Sequence, residues 1–413
     1  MASFVNGNAA VAQHGPKVFP LGTVFLHIGP HKTGTTALQN ALFNERDTLL
    51  RHNVNYITTE DGRGNANLAA RAIRNKPSQK HEAQVAVPMK YWNNIVRQAS
   101  GSSADYSVIS GEGFADCDDN EIHRIAKELA PGRLRIVVTL RPLAKILSSQ
   151  WQQYIQNAMF KHDFGEWLGR TLSSFDHSPL SERKQPEGFW RRHGHDLLVK
   201  RWAFADTLKA PILIVADEGE PRAIMQGFEA LTSLPEGTLQ PGAVLTNRSL
   251  TLPEIEVVRS YYTRLYDQGF QQRVYRRGSA IRPGLIFKEN RRPLLSEPRL
   301  EIPGQYSDEV VNLSSIIVDN LKQQKIHLFG DLNQLRLAPA SNSSNNAAPL
   351  IPIDLAALLA VGMLERVGAL RLSNNKNINL SRWPLAKETA RKAAQYIPGG
   401  AKLLALLKRL ASR

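Results

Sequence analysis

The chain has 413 residues, 42% of them hydrophobic, with 52 Lys and Arg against 37 Asp and Glu and a formal net charge of +15. That length and apolar content suit a sizeable globular core and exclude a wholly disordered chain. A single cysteine, Cys117, excludes an intrachain disulfide and any metal site built from several thiolates. The excess of positive charge implies an anionic partner.

Residues 1–21, opening MASFVNGNAAVAQHG, contain neither a basic region followed by an apolar core nor an amphipathic arginine pattern. They read as a flexible tail and not as a signal peptide, which makes the cytoplasm the expected location. Thr23 to Ile28 then reads as a short buried strand. Gly29-Pro30-His31-Lys32-Thr33-Gly34-Thr35-Thr36 is a tight polar loop, and helical spacing follows from Ala37 through Leu38, Leu42, Leu49 and Leu50 towards His52. A strand, a glycine turn and a helix in that order leave several backbone N–H groups unpaired at the helix start. With the helix dipole they form a seat for a phosphate.

Further along, Val54 to Ile57 reads as a second strand, and residues 59 to 105 as polar helical segments with Trp92, Ile95 and Val96 turned inward. Tyr106 to Ser110 is a third strand, Ile122 to Leu129 a helix, and Leu134 to Leu140 a continuous β-branched strand. Another strand, Pro211 to Ala216, follows a helix that carries a tryptophan. Strands alternating with helices predict an α/β domain over 22–338, a parallel sheet with helices on both faces. Ligands in such sheets bind beyond the carboxyl ends of the strands.

The composition changes at Pro339: 339–350 reads as a linker, and 351–413 as a helical basic C-terminal extension. The apolar run Ile351 to Leu364 is broken by Pro352 and Asp354 and is too short to span a bilayer. From Ser381 to Arg413 there are eight Lys or Arg against one acid, Glu388, and Leu403, Leu406, Leu407 and Leu410 share one helical face. Such a segment fits contact with an anionic membrane surface, docking on its own domain, or a solvated tail.

The loop narrows the chemistry. A nucleoside-triphosphate P-loop reads G-x-x-x-x-G-K-[ST], with lysine straight after the second glycine. Here Thr35 occupies that position, and the lysine stands earlier, at Lys32. This K-T-G-T-T arrangement after a hydrophobic strand resembles the 5′-phosphosulfate loop of sulfotransferases that use 3′-phosphoadenosine 5′-phosphosulfate (PAPS), in the form found in bacterial members. The resemblance implies a P-loop sulfotransferase-like fold, PAPS as donor and no metal. It also implies that Lys32 stabilises charge on the bridging oxygen, while Thr33, Gly34, Thr35 and Thr36 hold the 5′-phosphate.

A second motif starts in the 134–140 strand, which ends at Arg141, with Ser149 eight residues further on. A guanidinium at a strand end and a hydroxyl on the next helix suit one phosphate, the arginine by bidentate bonds. The pair resembles the sulfotransferase 3′-phosphate motif. Third, Glu112 follows the 106–110 strand, where partial burial is expected to raise its pKa and suit it to act as a general base. Glycan-modifying sulfotransferases place a glutamate base after the corresponding strand. His31 is the rival base, since the adjacent Lys32 favours its neutral form. Both are retained as catalytic candidates, with Lys32.

Fourth, Thr246-Asn247-Arg248-Ser249-Leu250-Thr251 resembles the N-x-S-L segment of bacterial sulfotransferases, which makes Arg248 a candidate nucleotide ligand. Ser249 and Thr251 also fit as ordinary caps of a helix starting near Pro253. Eight Lys or Arg lie between Arg273 and Arg299 against Glu289 and Glu297, either a seat for an anionic acceptor or a solvated face. His193 and His195 read as surface or packing residues. No nucleic-acid motif is present, and nucleic acid is not an expected partner.

The function expected from the resemblance is sulfuryl transfer from PAPS to an acceptor hydroxyl by in-line displacement. Analogy favours a carbohydrate or glycolipid acceptor, with an anionic glycan included. The alternatives are a P-loop kinase using ATP and magnesium, and a non-catalytic nucleotide-binding interaction protein.

Overall fold

The computed structural model of the chain describes residues 19–59, 64–75, 86–157, 162–203, 209–241, 248–268, 282–338 and 351–366. Most of the expected tail, the linker, the basic extension beyond 366, Asn247 and Arg273, Arg276 and Arg277 lie outside them. Two compact units are present: 1–147 with 168–243 and 302–341, and 148–167 with 244–301 and 342–413.

The first unit carries β1 (Thr23–His27), α1 (Thr35–Asn44), α2 (Arg46–Arg51), β2 (Val54–Ile57), α3 (Asn67–Ile73), α4 (Lys90–Gly101) and β3 (Tyr106–Ser110). A 3₁₀ turn, Glu112–Asp116, follows β3, then α5 (Asp119–Glu128) and β4 (Leu134–Leu140). The helices α6 (Leu143–Gln156) and α7 (Phe164–Ser173) are where the division falls, after Leu147 and after Trp167. The unit continues with α8 (Gly188–His193), α9 (His195–Ala203), β5 (Ile212–Val215) and α10 (Ala223–Thr232). The second unit holds α11 (Leu252–Asp267) and α12 (Pro283–Asn290), and the first resumes with α13 (Ser307–Lys322) and β6 (His327–Phe329). Last comes α14 (Ile353–Arg366), in the second unit.

The six strands form one parallel sheet in the order β2-β3-β1-β4-β5-β6, so the fold is α/β, as the alternation of elements predicts. All residues of β1, β3, β4 and β5 are buried, which requires cover on both faces and explains their unbroken apolar sequences. One core cluster includes Phe25, Leu38, Leu42, Val108, Val137, Ile214 and Phe228. Phe19, inside the expected tail, belongs to it: its ring meets Phe25 edge-on at 5.4 Å, and its carbonyl accepts the Tyr106 hydroxyl at 3.0 Å.

Local differences have local causes. The helix expected through to His52 breaks at Glu45, where the polar run Asn44 to Asp47 leaves no continuous apolar face. Val96 is half-exposed, whereas Trp92 and Ile95 are buried as expected. The edge strand β6 has only three half-buried residues, too few to show a period in sequence. No helix among the described residues is long and apolar enough to cross a membrane.

Candidate functional site

The site begins at the centre of the sheet. β1 lies between β3 and β4, with His27 opposite Ser110 on one side and Val137 on the other. The three strands therefore deliver the 29–36 loop, Glu112 and Arg141 to the same edge, at their carboxyl ends. Below the loop, His27 is fully buried, with Nδ1 2.8 Å from the Ser110 hydroxyl and Nε2 3.1 Å from that of Thr139. Gln39 Nε2 donates to the same Ser110 hydroxyl at 3.0 Å. Burial pushes the His27 pKa down to about 3, against the opposing pull of the Glu112 charge, so the ring is a neutral spacer between strands.

The loop backbone is strongly constrained. Gly29 and Gly34 have φ of 84° and 88°, and a Cβ on Gly34 would lie 2.5 Å from Ile224. Lys32 also has a positive φ, 69°, a conformation that costs an L-residue ~1–2 kcal/mol. Surrounding bonds hold it there. The Thr139 N–H donates to Gly29 O at 2.9 Å, and the Thr33 hydroxyl donates to Pro30 O at 2.8 Å while lying 2.6 Å from the Thr139 hydroxyl. Thr33 is thus buried, and its hydroxyl serves the loop itself; what it leaves for a ligand is its backbone N–H. The N–H groups of Thr33, Gly34, Thr35 and Thr36 have no protein acceptor among the described residues, and Gly34 and Thr36 are exposed at the start of α1. Backbone donors arranged in this way suit an anion.

The two candidate bases prove to be partners. His31 Nδ1 lies 2.5 Å from Glu112 Oε2, and both side chains are largely buried. Burial alone would raise the Glu112 pKa, as the sequence reading expects. The structure corrects that expectation: bonds and charge from His31, the Lys32 charge and a hydrogen bond with Thr35 together hold it below the usual carboxylate range. An ionised Glu112 accepts the His31 Nδ1–H, fixes the ring and leaves Nε2 as the basic nitrogen. A cationic side chain, an imidazole and a carboxylate are therefore grouped at the mouth of the loop.

Arg141 leaves β4 two residues after Thr139, the residue that braces the loop. Its guanidinium is forked onto Glu218, Nε to Oε1 at 2.7 Å and Nη2 to Oε2 at 3.3 Å, with both side chains about 30% exposed. Burial pushes the Glu218 pKa up, but Arg141 and then Lys145 hold it lower overall. Glu218, just beyond β5, escaped the sequence reading; its signal was an acid at the strand end next to Arg141. Ser149 is half-buried on α6 and falls in the second unit.

Arg248 is a correction. Its Nη1 and Nη2 donate to the two oxygens of the wholly buried Glu254 at 2.7 and 2.8 Å, and Nη2 reaches Phe287 O at 2.9 Å. Glu254 in turn accepts the Thr251 N–H at 2.9 Å, anchoring the start of α11. Arg291, from the basic run, binds Glu297 at 2.6 and 2.8 Å and Glu254 at 3.3 Å. These guanidiniums hold the second unit together, which the nucleotide and acceptor expectations for Arg248 and Arg291 did not foresee. His193 and His195 are buried, not on the surface. Burial lowers both pKa values, that of His195 to about 4; for His193 the charges of His195, His31, Arg192 and Lys32 add to the effect.

Also unforeseen is a cluster behind Glu112. Asp116, four residues later and buried, accepts Arg192 at 2.6 and 2.7 Å and Arg74 at 3.2 Å, and its carbonyl accepts Arg191 Nε at 3.0 Å. Arg201 donates to Ala115 O at 2.6 Å. Nothing in the local sequence signals that α3, α8 and α9 converge on this turn.

No family model matches this chain. No curated protein matches it either. Among solved structures, a sulfotransferase from Alicyclobacillus acidocaldarius is similar over 62% of this chain and 94% of its own length, with 14% identity and a TM-score of 0.35. A superposition that loose carries no argument about what this chain does.

Proposed function

We propose that the chain transfers a sulfuryl group from PAPS to an acceptor hydroxyl, which makes it a PAPS-dependent sulfotransferase. The observation that carries this reading is the 29–36 loop: four N–H groups without protein acceptors among the described residues, preceded by a lysine standing before the second glycine. The residues fit the donor. The N–H groups of Thr33 to Thr36 suit its 5′-phosphate, and Arg141 suits its 3′-phosphate once Glu218 gives way. In this scheme the acceptor oxygen bonds to sulfur as the bond from sulfur to the bridging oxygen breaks, releasing 3′-phosphoadenosine 5′-phosphate. The acceptor proton passes to His31 Nε2, Glu112 steadies the resulting imidazolium, and Lys32 stabilises the charge left on the bridging oxygen. We take a carbohydrate or glycolipid hydroxyl as the acceptor, and a metal has no part in the scheme.

Calorimetry tests the reading. The bisphosphate is expected to bind more tightly than ATP with magnesium. Tighter binding of ATP–magnesium would instead favour a kinase and overturn the assignment.

A further inference from the structure

The cluster behind Glu112 holds more positive charge than its structural role uses. Four guanidiniums, of Arg74, Arg191, Arg192 and Arg201, face three carboxylates, Asp116, Glu121 and, acting on Arg201 through its charge, Asp119. The surplus is felt inside the cluster: burial, with the Arg191 charge next, pushes the Arg201 pKa down to about 10. Arg74 and Arg192 are committed to the Asp116 carboxylate, and Arg201 is buried. Arg191 differs. It is half-exposed, only its Nε is engaged, on the Asp116 carbonyl, and its two terminal nitrogens have no protein acceptor among the described residues. That is a guanidinium anchored at its base with its fork unspent, the geometry that takes a carboxylate or sulfate in bidentate fashion. Its anchor is one short turn from the proposed reaction centre, since four residues of 3₁₀ helix rise ~8 Å.

We infer that Arg191 is an acceptor subsite: the substrate is an acidic saccharide whose carboxylate or sulfate docks on Arg191, beside the hydroxyl brought to His31 and Glu112, whose neighbour Asp116 feels the His31 charge. The inference rests on the sulfuryl-transfer reading and names the substrate class for that site. It also moves the seat for an anionic acceptor away from the 273–299 run, where Arg291 is consumed by Glu254 and Glu297.

The test uses full-length protein saturated with 3′-phosphoadenosine 5′-phosphate and two probes, a disaccharide ending in glucuronate and the same disaccharide ending in glucose. By calorimetry the acidic probe is expected to bind about tenfold more tightly, and Arg191→Gln to bring the two to parity with nucleotide affinity held within about twofold. Should that variant not fold, Arg191→Lys keeps the charge but loses the fork, and is expected to lose severalfold in affinity for the acidic probe alone. Parity of the probes on the wild-type protein, or an unchanged ratio in the variant that folds, overturns the subsite. Failure of the bisphosphate to bind would instead bring down sulfuryl transfer itself, and the subsite with it.

Discussion

Two sets of arginines in this molecule look alike in sequence and do opposite things. In the second unit, Arg248 and Arg291 meet the buried Glu254 and, for Arg291, the half-buried Glu297 with nearly every donor matched. In the first, Arg141 shares an exposed fork with one glutamate, and Arg191 is tied by a single nitrogen. Charge that is fully paired under cover maintains the fold, because breaking such a pair strands an ion away from water. Charge left partly unmatched near solvent is able to bind a ligand. The number of arginines in a stretch does not distinguish the two cases; the placement of carboxylates does.

The comparison is broken most severely at the loop. His31→Asn is expected to lower turnover by about 10²–10⁴-fold, the range for a general base, with the circular-dichroism spectrum unchanged. Lys32→Ala should cost about 2.7–4 kcal/mol of transition-state stabilisation, read as kcat, also with the fold intact. Glu112→Gln should fall short of the histidine variant, because it removes the orienting carboxylate and not the basic nitrogen. Full activity in both His31→Asn and Glu112→Gln would remove the dyad from the mechanism.

In the second unit the loss should be one of stability. Arg248→Ala leaves Glu254 buried beside fewer partners and is expected to destabilise by about 3–5 kcal/mol in a denaturant titration. Bisphosphate affinity of the protein that remains folded should be unchanged. A large affinity loss with normal stability would return Arg248 to the nucleotide site.

Arg141 offers a sharper contrast with its glutamate partner. Arg141→Ala should weaken bisphosphate binding by about tenfold or more, whereas Glu218→Gln should strengthen it severalfold by removing a competitor for the same fork. Equal affinity in both variants would place the 3′-phosphate elsewhere.

The buried histidines add an effect spread over pH. The folded-state pKa of His27 is about 3 and that of His195 about 4, both below the unfolded value of 6.5. Between those limits the unfolded chain binds more protons, so stability is expected to fall as pH drops from 6.5 towards 4. Each histidine contributes up to ~1.4 kcal/mol per pH unit, measurable by urea titration at successive pH values. Replacing His27 by Gln should flatten that slope; an unchanged slope would mean that the ring is not neutral at the strand ends.

The 134–140 strand and the glycine loop were legible because their signals are local: a β-branched apolar run and a fixed spacing of Gly29, Lys32 and Gly34. Glu112 and Arg141 were legible as strand-end residues, since α/β sheets gather their ligands there. The pairing of His31 with Glu112 was not, because it depends on β1 and β3 lying side by side although 78 residues separate His27 from Tyr106. For the same reason the two look like rival bases in sequence, and the fall in the glutamate's pKa is visible only in the fold. Phe19 and β6 were missed because a single aromatic in a polar segment and a three-residue edge carry no period.

What the sequence alone determined is the alternating α/β order and the glycine loop ahead of the first helix, since both follow from backbone preferences over a few neighbouring residues. Tertiary structure decided which charges are spent. Arg248 and Arg291 face the buried Glu254, Arg141 faces Glu218, and Arg191 keeps its fork. The reason is physical: a guanidinium's role depends on whichever acceptors the fold brings within about 3 Å, and that range takes no account of distance along the chain.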